Sequence, residues 1–118
     1  MDTSVEVGTT SDIPEGGMKE VLAGGRKILL ARVEGTFYAA DNICPHMGGR
    51  LGLGKLEGTV VTCPRHGSQF ELRDGHVVRW AQVPAIILAV SKLLSPPRPL
   101  GTYRVDVDGD KIMVAIPA

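Results

Sequence analysis

The sequence predicts an antiparallel all-β sandwich or small barrel, and three observations carry that expectation. Tight-turn dipeptides recur between short β-patterned runs. The last two runs alternate, with Tyr103, Val105 and Val107 on one face and Ile112, Val114 and Ile116 on another. Glycine is about twice its average share, at 15 of 118 residues, and 8 prolines accompany it. The length suits one domain over residues 1–118, and 43% apolar residues suffice for a core.

Taken in order, Gly24-Gly25 separates a run at Met18–Ala23 from one at Arg26–Val33, and Glu34-Gly35 separates the latter from Thr36–Ala40. Asp74-Gly75 lies between Gln69–Leu72 and His76–Val78, and Asp108-Gly109 between Tyr103–Val107 and Lys111–Ile116. Gly-Gly and Asp-Gly tolerate the positive φ angles of tight hairpins. One segment breaks the pattern. Trp80–Leu94 has little alternation, with only Gln82, Ser91 and Lys92 polar. Pro84 suits the first turn of a helix running to about Leu94, where its missing N–H costs nothing. Ser95-Pro96-Pro97 would stop it.

Lysine plus arginine equals aspartate plus glutamate, 13 each, so no overall charge calls for nucleic acid or an anionic membrane. Neutrality of the whole leaves room for a local charged patch. The first residues have neither a basic nor an apolar signal-peptide region. The longest apolar stretch, Val83–Val90, is far short of the ~20 residues of a spanning helix. The expectation is a cytoplasmic chain without a membrane span. In a reducing compartment the two cysteines are better suited to metal than to a disulfide, since each is closely followed by a histidine.

The chemistry concentrates in Cys44-Pro45-His46 and, after sixteen intervening residues, Cys63-Pro64-Arg65-His66. Thiolate and imidazole hold iron, zinc or copper. Two pairs on separate loops supply four ligands, one closed site. Gly48, Gly49 and Gly67 let the backbone approach a bulky inorganic group. A structural zinc site is the main alternative, but zinc motifs usually keep cysteines together and histidines together. A Cys–His nucleophilic dyad would leave the second pair unexplained. The third histidine, His76, follows an Asp-Gly turn and reads as an ordinary strand residue.

In the contexts Asn42-Ile43-Cys44-Pro45-His46 and Cys63-Pro64-Arg65-His66-Gly67-Ser68-Gln69-Phe70, the chain resembles the Rieske-type 2Fe–2S ferredoxins. The likeness runs from about Asp12 to the final hairpin. It implies a Rieske-like β-sandwich with two cluster-binding loops and one short inserted helix near 84–94. It also implies one 2Fe–2S cluster, with Cys44 and Cys63 on an inner iron and His46 and His66 on an outer one. Replacing two thiolates by imidazoles raises the potential above that of all-cysteine ferredoxins.

Departures from the respiratory Rieske proteins refine this expectation. Gly49 and Arg65 stand where those proteins carry an inter-loop disulfide. Ser68 matches a serine whose hydroxyl hydrogen-bonds near the cluster, and Phe70 replaces a tyrosine that does the same. Losing one such bond should place the potential in the lower part of the Rieske range, roughly −150 to +300 mV. Pro99-Leu100-Gly101-Thr102-Tyr103 matches the end of a cover loop, so Ser95–Pro99, including Pro96 and Pro97, is the candidate cover. Trp80–Leu94 then reads as an insertion beside the cluster. A helix this short is more often packed on a sheet, but this one could shape a partner-docking or self-association surface, with Trp80 as a docking residue. Met47 and Arg65 are expected on the same exposed face.

The resemblance implies a one-electron carrier rather than an enzyme. Its donor would be a flavin-dependent reductase, and its acceptor an oxygenase, such as an aromatic-ring-hydroxylating dioxygenase. A small iron–sulfur subunit of a multi-component reductase, similar to nitrite reductase small subunits, is the second reading. A zinc-binding interaction module is a third, of another class.

Overall fold

The computed structural model describes residues 2–45, 48–80, 84–94 and 97–117. Three antiparallel sheets form. The first has the order β1-β11-β10, from Asp2–Thr9 (β1), Val105–Asp108 (β10) and Lys111–Pro117 (β11). The second has the order β2-β3-β4-β9, from Met18–Ala23 (β2), Arg26–Val33 (β3), Thr36–Asp41 (β4) and Thr102–Tyr103 (β9). The third has the order β5-β6-β7-β8, from Lys55–Glu57 (β5), Val60–Thr62 (β6), Gln69–Glu71 (β7) and Val77–Arg79 (β8). One α-helix, Ala85–Leu94 (α1), precedes β9.

Two of the four expected hairpins close across their turn dipeptides, whereas Asp108 pairs with Lys111 across Gly109-Asp110 and Asp74-Gly75 lies within a longer connection between β7 and β8. Ala23 pairs with Arg26 across Gly24-Gly25, and Val33 with Thr36 across Glu34-Gly35. All four central residues have positive φ, the geometry of two-residue hairpins whose twist matches the strands. The β3 run Ile28-Leu29-Leu30-Ala31 does not alternate because both faces are covered. Ile28 and Leu30 join Ile13, Ala23, Ala39, Ile112, Val114 and Ile116 in one core. Leu29 and Ala31 join a second core that contains both cysteines, Phe70, Trp80 and Leu100. The β2–β3–β4 sheet is thus the rigid floor on which the cysteine-bearing loops rest, each buried leucine or isoleucine contributing about 1.5–3 kcal/mol.

Several boundaries differ from expectation. The run Tyr103–Val107 is two strands: Tyr103 pairs with Ala39 in the second sheet, while Val105 pairs with Val114 in the first. The chain changes sheets at Arg104, whose carbonyl accepts the Ala115 N–H at 3.0 Å. Tyr103 and Val107 therefore do not share a face, and Val107 is exposed. His76 lies just ahead of β8, in a turn where Asp74 Oδ1 accepts its backbone N–H at 3.0 Å and meets its ring Nδ1 at 2.6 Å. Pro84 stands immediately before α1, and its carbonyl accepts the first helical bond from Leu88 N–H at 2.9 Å. The helix is barely packed. Leu88 touches the cysteine-side core, whereas Ile86, Ile87, Val90 and Leu93 are exposed. Among the described residues no helix is long and apolar enough to cross a membrane.

Candidate metal centre

Two loops carry the cysteines, and their backbones follow one plan. In the first, Cys44 N–H bonds to Gly49 O at 2.8 Å and Gly48 N–H to Cys44 O at 2.9 Å. In the second, Cys63 N–H bonds to Ser68 O at 2.7 Å and Gly67 N–H to Cys63 O at 3.2 Å. Each loop is closed by its cysteine and the residues four and five positions on. Gly48 and Gly67 occupy the same place with φ of +74° and +72°, a region that favours glycine. The sequence offers the histidines at different offsets within this shared frame.

The frames are clamped from behind. Around the first loop, Ile43 and Arg50 form an isolated antiparallel bridge. Asn42, buried just before it, accepts Gly52 N–H on its side-chain oxygen at 2.9 Å, donates its side-chain amide to Glu20, and accepts Leu51 N–H on its carbonyl at 2.8 Å. Glu20 also holds Arg50, at 2.6 Å and 2.9 Å. The Arg50 guanidinium, and beyond it the Asn42 amide, hold the Glu20 carboxyl below the usual range against a smaller opposing effect of burial. Arg98 Nη2 donates to Pro45 O at 2.6 Å, which sets the run after α1 against this loop. Around the second loop, Arg79 Nε donates to Gly67 O at 3.0 Å. The fully buried Ser68 hydroxyl donates to the backbone carbonyl of Trp80.

Both cysteines are free thiols and nearly inaccessible, at 2% and 3% exposure. Burial pushes the Cys63 thiol up, and the neighbouring Cys44 sulfur, within hydrogen-bond reach, adds to this. The backbone N–H groups of Arg65 and His66 bond to the Cys63 sulfur and pull the other way. Two adjacent sulfurs, one of them met by two N–H donors, suit cysteines held as thiolates. Iron would bind such thiolates. Gly49 completes the cradle: a Cβ there would lie 2.6 Å from Cys63 Sγ and 3.2 Å from the Arg65 stem. The donor set and its shape therefore fit a 2Fe–2S group. Among the described residues no three or more His, Cys, Asp or Glu side chains form a ready-made metal-binding group.

Sequence-predicted site residues fall as follows. Cys44 and Cys63 come together, and His66 is half-buried beside an open cleft that it lines with Cys63, Arg65 and Lys55. His46 and Met47, and Pro96 with Ser95, lie outside the described residues. Arg65 is exposed, and its contact with the Gly49 position shows that the two residues at the absent disulfide do face each other. Pro97 is exposed. Phe70 is fully buried in β7, meeting Trp80 edge-to-face with centroids 6.4 Å apart. Trp80, expected as a docking residue, is only 4% exposed and belongs to the core. Ser68, expected to hydrogen-bond near the cluster, is fully buried in the second loop with its hydroxyl against the Trp80 carbonyl. Arg98 and Asn42 were not singled out in advance. The polar residue immediately before Ile43-Cys44 was the available signal for Asn42, whereas nothing local marks Arg98.

Comparison with known proteins agrees with this geometry. The Rieske [2Fe-2S] domain family model matches residues 3–114. The ferredoxin component of a naphthalene 1,2-dioxygenase system from Pseudomonas aeruginosa is 32% identical over 103 residues, covering 87% of this chain and 86% of that protein. The ferredoxin of carbazole 1,9a-dioxygenase from Nocardioides aromaticivorans IC177 superposes with a TM-score of 0.81 at 26% identity, over 98% of this chain and 99% of that one. A ferredoxin-type chain in a complex of reduced oxygenase and oxidised ferredoxin of carbazole 1,9a-dioxygenase matches with a TM-score of 0.75 at 27% identity, over 95% and 92%.

Proposed function

Because the chain belongs to the Rieske [2Fe-2S] family, we propose that it is the ferredoxin of an aromatic-ring oxygenase system, a single-domain carrier with no catalysis of its own. The observation that carries this reading is the pair of matching loops holding two buried thiols face to face. Its cofactor is one Rieske cluster, which when bound takes up and gives back one electron.

The chain's own residues have three tasks. Cys44 and Cys63 would hold the inner iron, and the N–H groups of Arg65 and His66 would stabilise negative charge on the Cys63 sulfur. His46 and His66 would hold the outer iron, and the half-buried setting of His66 against the near-zero exposure of both cysteines supports an imidazole end nearer to solvent. Phe70, Trp80 and Leu100 exclude water from the cysteine end. Arg65, Gly67 and Ser68 shape the second loop.

The donor is a flavin-dependent reductase in the cytoplasm and the acceptor is the oxygenase, by analogy with the related ferredoxins. A small subunit of a multi-component reductase is the weaker reading, since a relative covering most of the chain is a ferredoxin component. The test is iron and sulfide analysis of anaerobically purified protein with EPR after reduction. Two irons, two sulfides and a Rieske signal are expected; a colourless zinc protein would sink the proposal. Reconstitution with a reductase and a naphthalene-type oxygenase then reads product per electron delivered.

A further inference from the structure

The chain is neutral as a whole, but its charge is segregated. Residues 42–101, which hold the loops and α1, carry seven Lys or Arg against three Asp or Glu. The remainder carries six against ten. Of the three acids in the first group, Glu71 is buried and bonded to Arg73, and Asp74 is bonded to His76. Of the seven cations, Arg50 and Arg73 are paired with Glu20 and Glu71, and four others stand at the loops. Arg65 lies over Gly49, Arg98 reaches the Pro45 carbonyl, Arg79 reaches the Gly67 carbonyl, and Lys55 lines the cleft beside Cys63. None of the ion pairs found among the described residues involves Lys55, Lys92 or Arg98.

The helix α1 carries an uncovered apolar surface. Ile86, Val90 and Leu93 recur at helical spacing and are 76%, 51% and 83% exposed. Ile87 widens the stripe, and Leu53 stands exposed at the cleft of the second loop. Consecutive turns of α1 thus present apolar side chains to solvent on one face. Leu88 roots the helix in the core that also contains Cys44 and Cys63, and Arg98, just beyond the helix, reaches the first loop at the Pro45 carbonyl.

We propose that α1 and the two cysteine loops form one docking face, an apolar centre with a cationic rim, built for a redox-partner protein with an apolar groove edged by carboxylates. The inference rests on the electron-carrier reading and deepens it. Apolar centre and polar rim are the usual anatomy of an interface, and electron-transfer encounters sit at the small end, below about 1,200 Å² of total buried area. A second copy of this chain would set cationic rim against cationic rim, and like charges in apposition are costly. An acidic rim instead speeds encounter without tightening the complex, as a carrier that must leave again requires.

The test is voltammetry of the cluster-loaded full chain on gold electrodes coated with mixed monolayers. Interfacial electron transfer should be about tenfold faster on a carboxylate/methyl film than on an amine/methyl film, and the advantage should fade with added salt. Lys55→Glu with Lys92→Glu should abolish the preference while leaving the EPR spectrum unchanged. Ile86→Ser with Leu93→Ser should slow transfer on the mixed film but not on a purely carboxylate one. Equal or faster transfer on the amine film overturns the proposal. So does a dimer in analytical ultracentrifugation that Leu93→Ser dissolves, which would make a second copy the occupant. Binding to 7:3 phosphatidylcholine–phosphatidylserine vesicles that Leu93→Ser abolishes overturns it in favour of lipid. Absence of any Rieske signal in the unaltered protein is a different failure, since it removes the electron-carrier reading and this inference with it.

Discussion

The two cysteine loops share a backbone plan and differ in what fills it. At the fifth position after the cysteine, the first loop has Gly49, which leaves room for Cys63 Sγ, and the second has Ser68, which reaches away to Trp80. One loop yields space to the site and the other anchors it. The first is held by side chains from outside, through Asn42, Glu20 and Arg98. The second is held through its own buried hydroxyl and the Arg79 bond. A repeated frame can therefore serve two jobs, because the frame depends on backbone bonds while the jobs depend on single side chains.

The strongest break is expected at Gly49→Ala. A Cβ 2.6 Å from Cys63 Sγ cannot be accommodated without moving the sulfur, so most of the cluster should be lost while circular dichroism still reports a folded sheet. Iron per chain measures it, and full incorporation would show that the loops separate more than the structure indicates. Ser68→Ala should come next. It strands the Trp80 carbonyl in a buried setting, at about 1–3 kcal/mol by denaturant titration. Its reduction potential should move by less than about 59 mV, the one-electron equivalent of a factor of ten. A larger fall would mean that the hydroxyl also serves the cluster.

Gly48→Ala and Gly67→Ala test the equivalence of the frames. Each places a side chain at φ near +70°, so each should cost about 1–2 kcal/mol, and unequal costs would break the symmetry. The smallest effect is on acid stability. Glu20 titrates lower in the folded chain than in the unfolded one, so its contribution is present above the unfolded value, about 4.3, and is lost as pH falls through the lowered folded value. Glu20→Gln should flatten that part of the stability–pH profile, and an unchanged slope would remove Glu20 from the support of the first loop.

Much of this was legible in the residues. Gly24-Gly25 and Glu34-Gly35 announce hairpins because only certain residues take positive φ in succession, and β2 and β3 begin and end as read. The cysteine and histidine pairs were legible because metal chemistry admits few side chains. The β5 and β6 strands, three residues each, are too short for a period to show. β1 was hidden by a register shift between Glu6 and Gly8 that breaks its alternation. The split at Arg104 was invisible because an alternating pattern looks the same whether one sheet or two supply the partners. Trp80 was misread as a docking residue for a related reason: its burial depends on packing against Phe70, ten residues away in the chain, and residue type alone does not say which side of the insertion faces the core.

Trp80 and Leu100 sit in one core, the first with its carbonyl held by Ser68 and the second with its N–H held by Gly75 O at 2.8 Å. The chain leaves and rejoins the fold at two fixed points, and the helix between them is anchored by little more than Leu88. Such an arrangement is modular. The helix α1 can be exchanged, lengthened or shortened over generations, or by design, while Arg98 and the rest of the frame that holds the metal stay in place. Recognition can evolve at this segment while the redox centre stays constant.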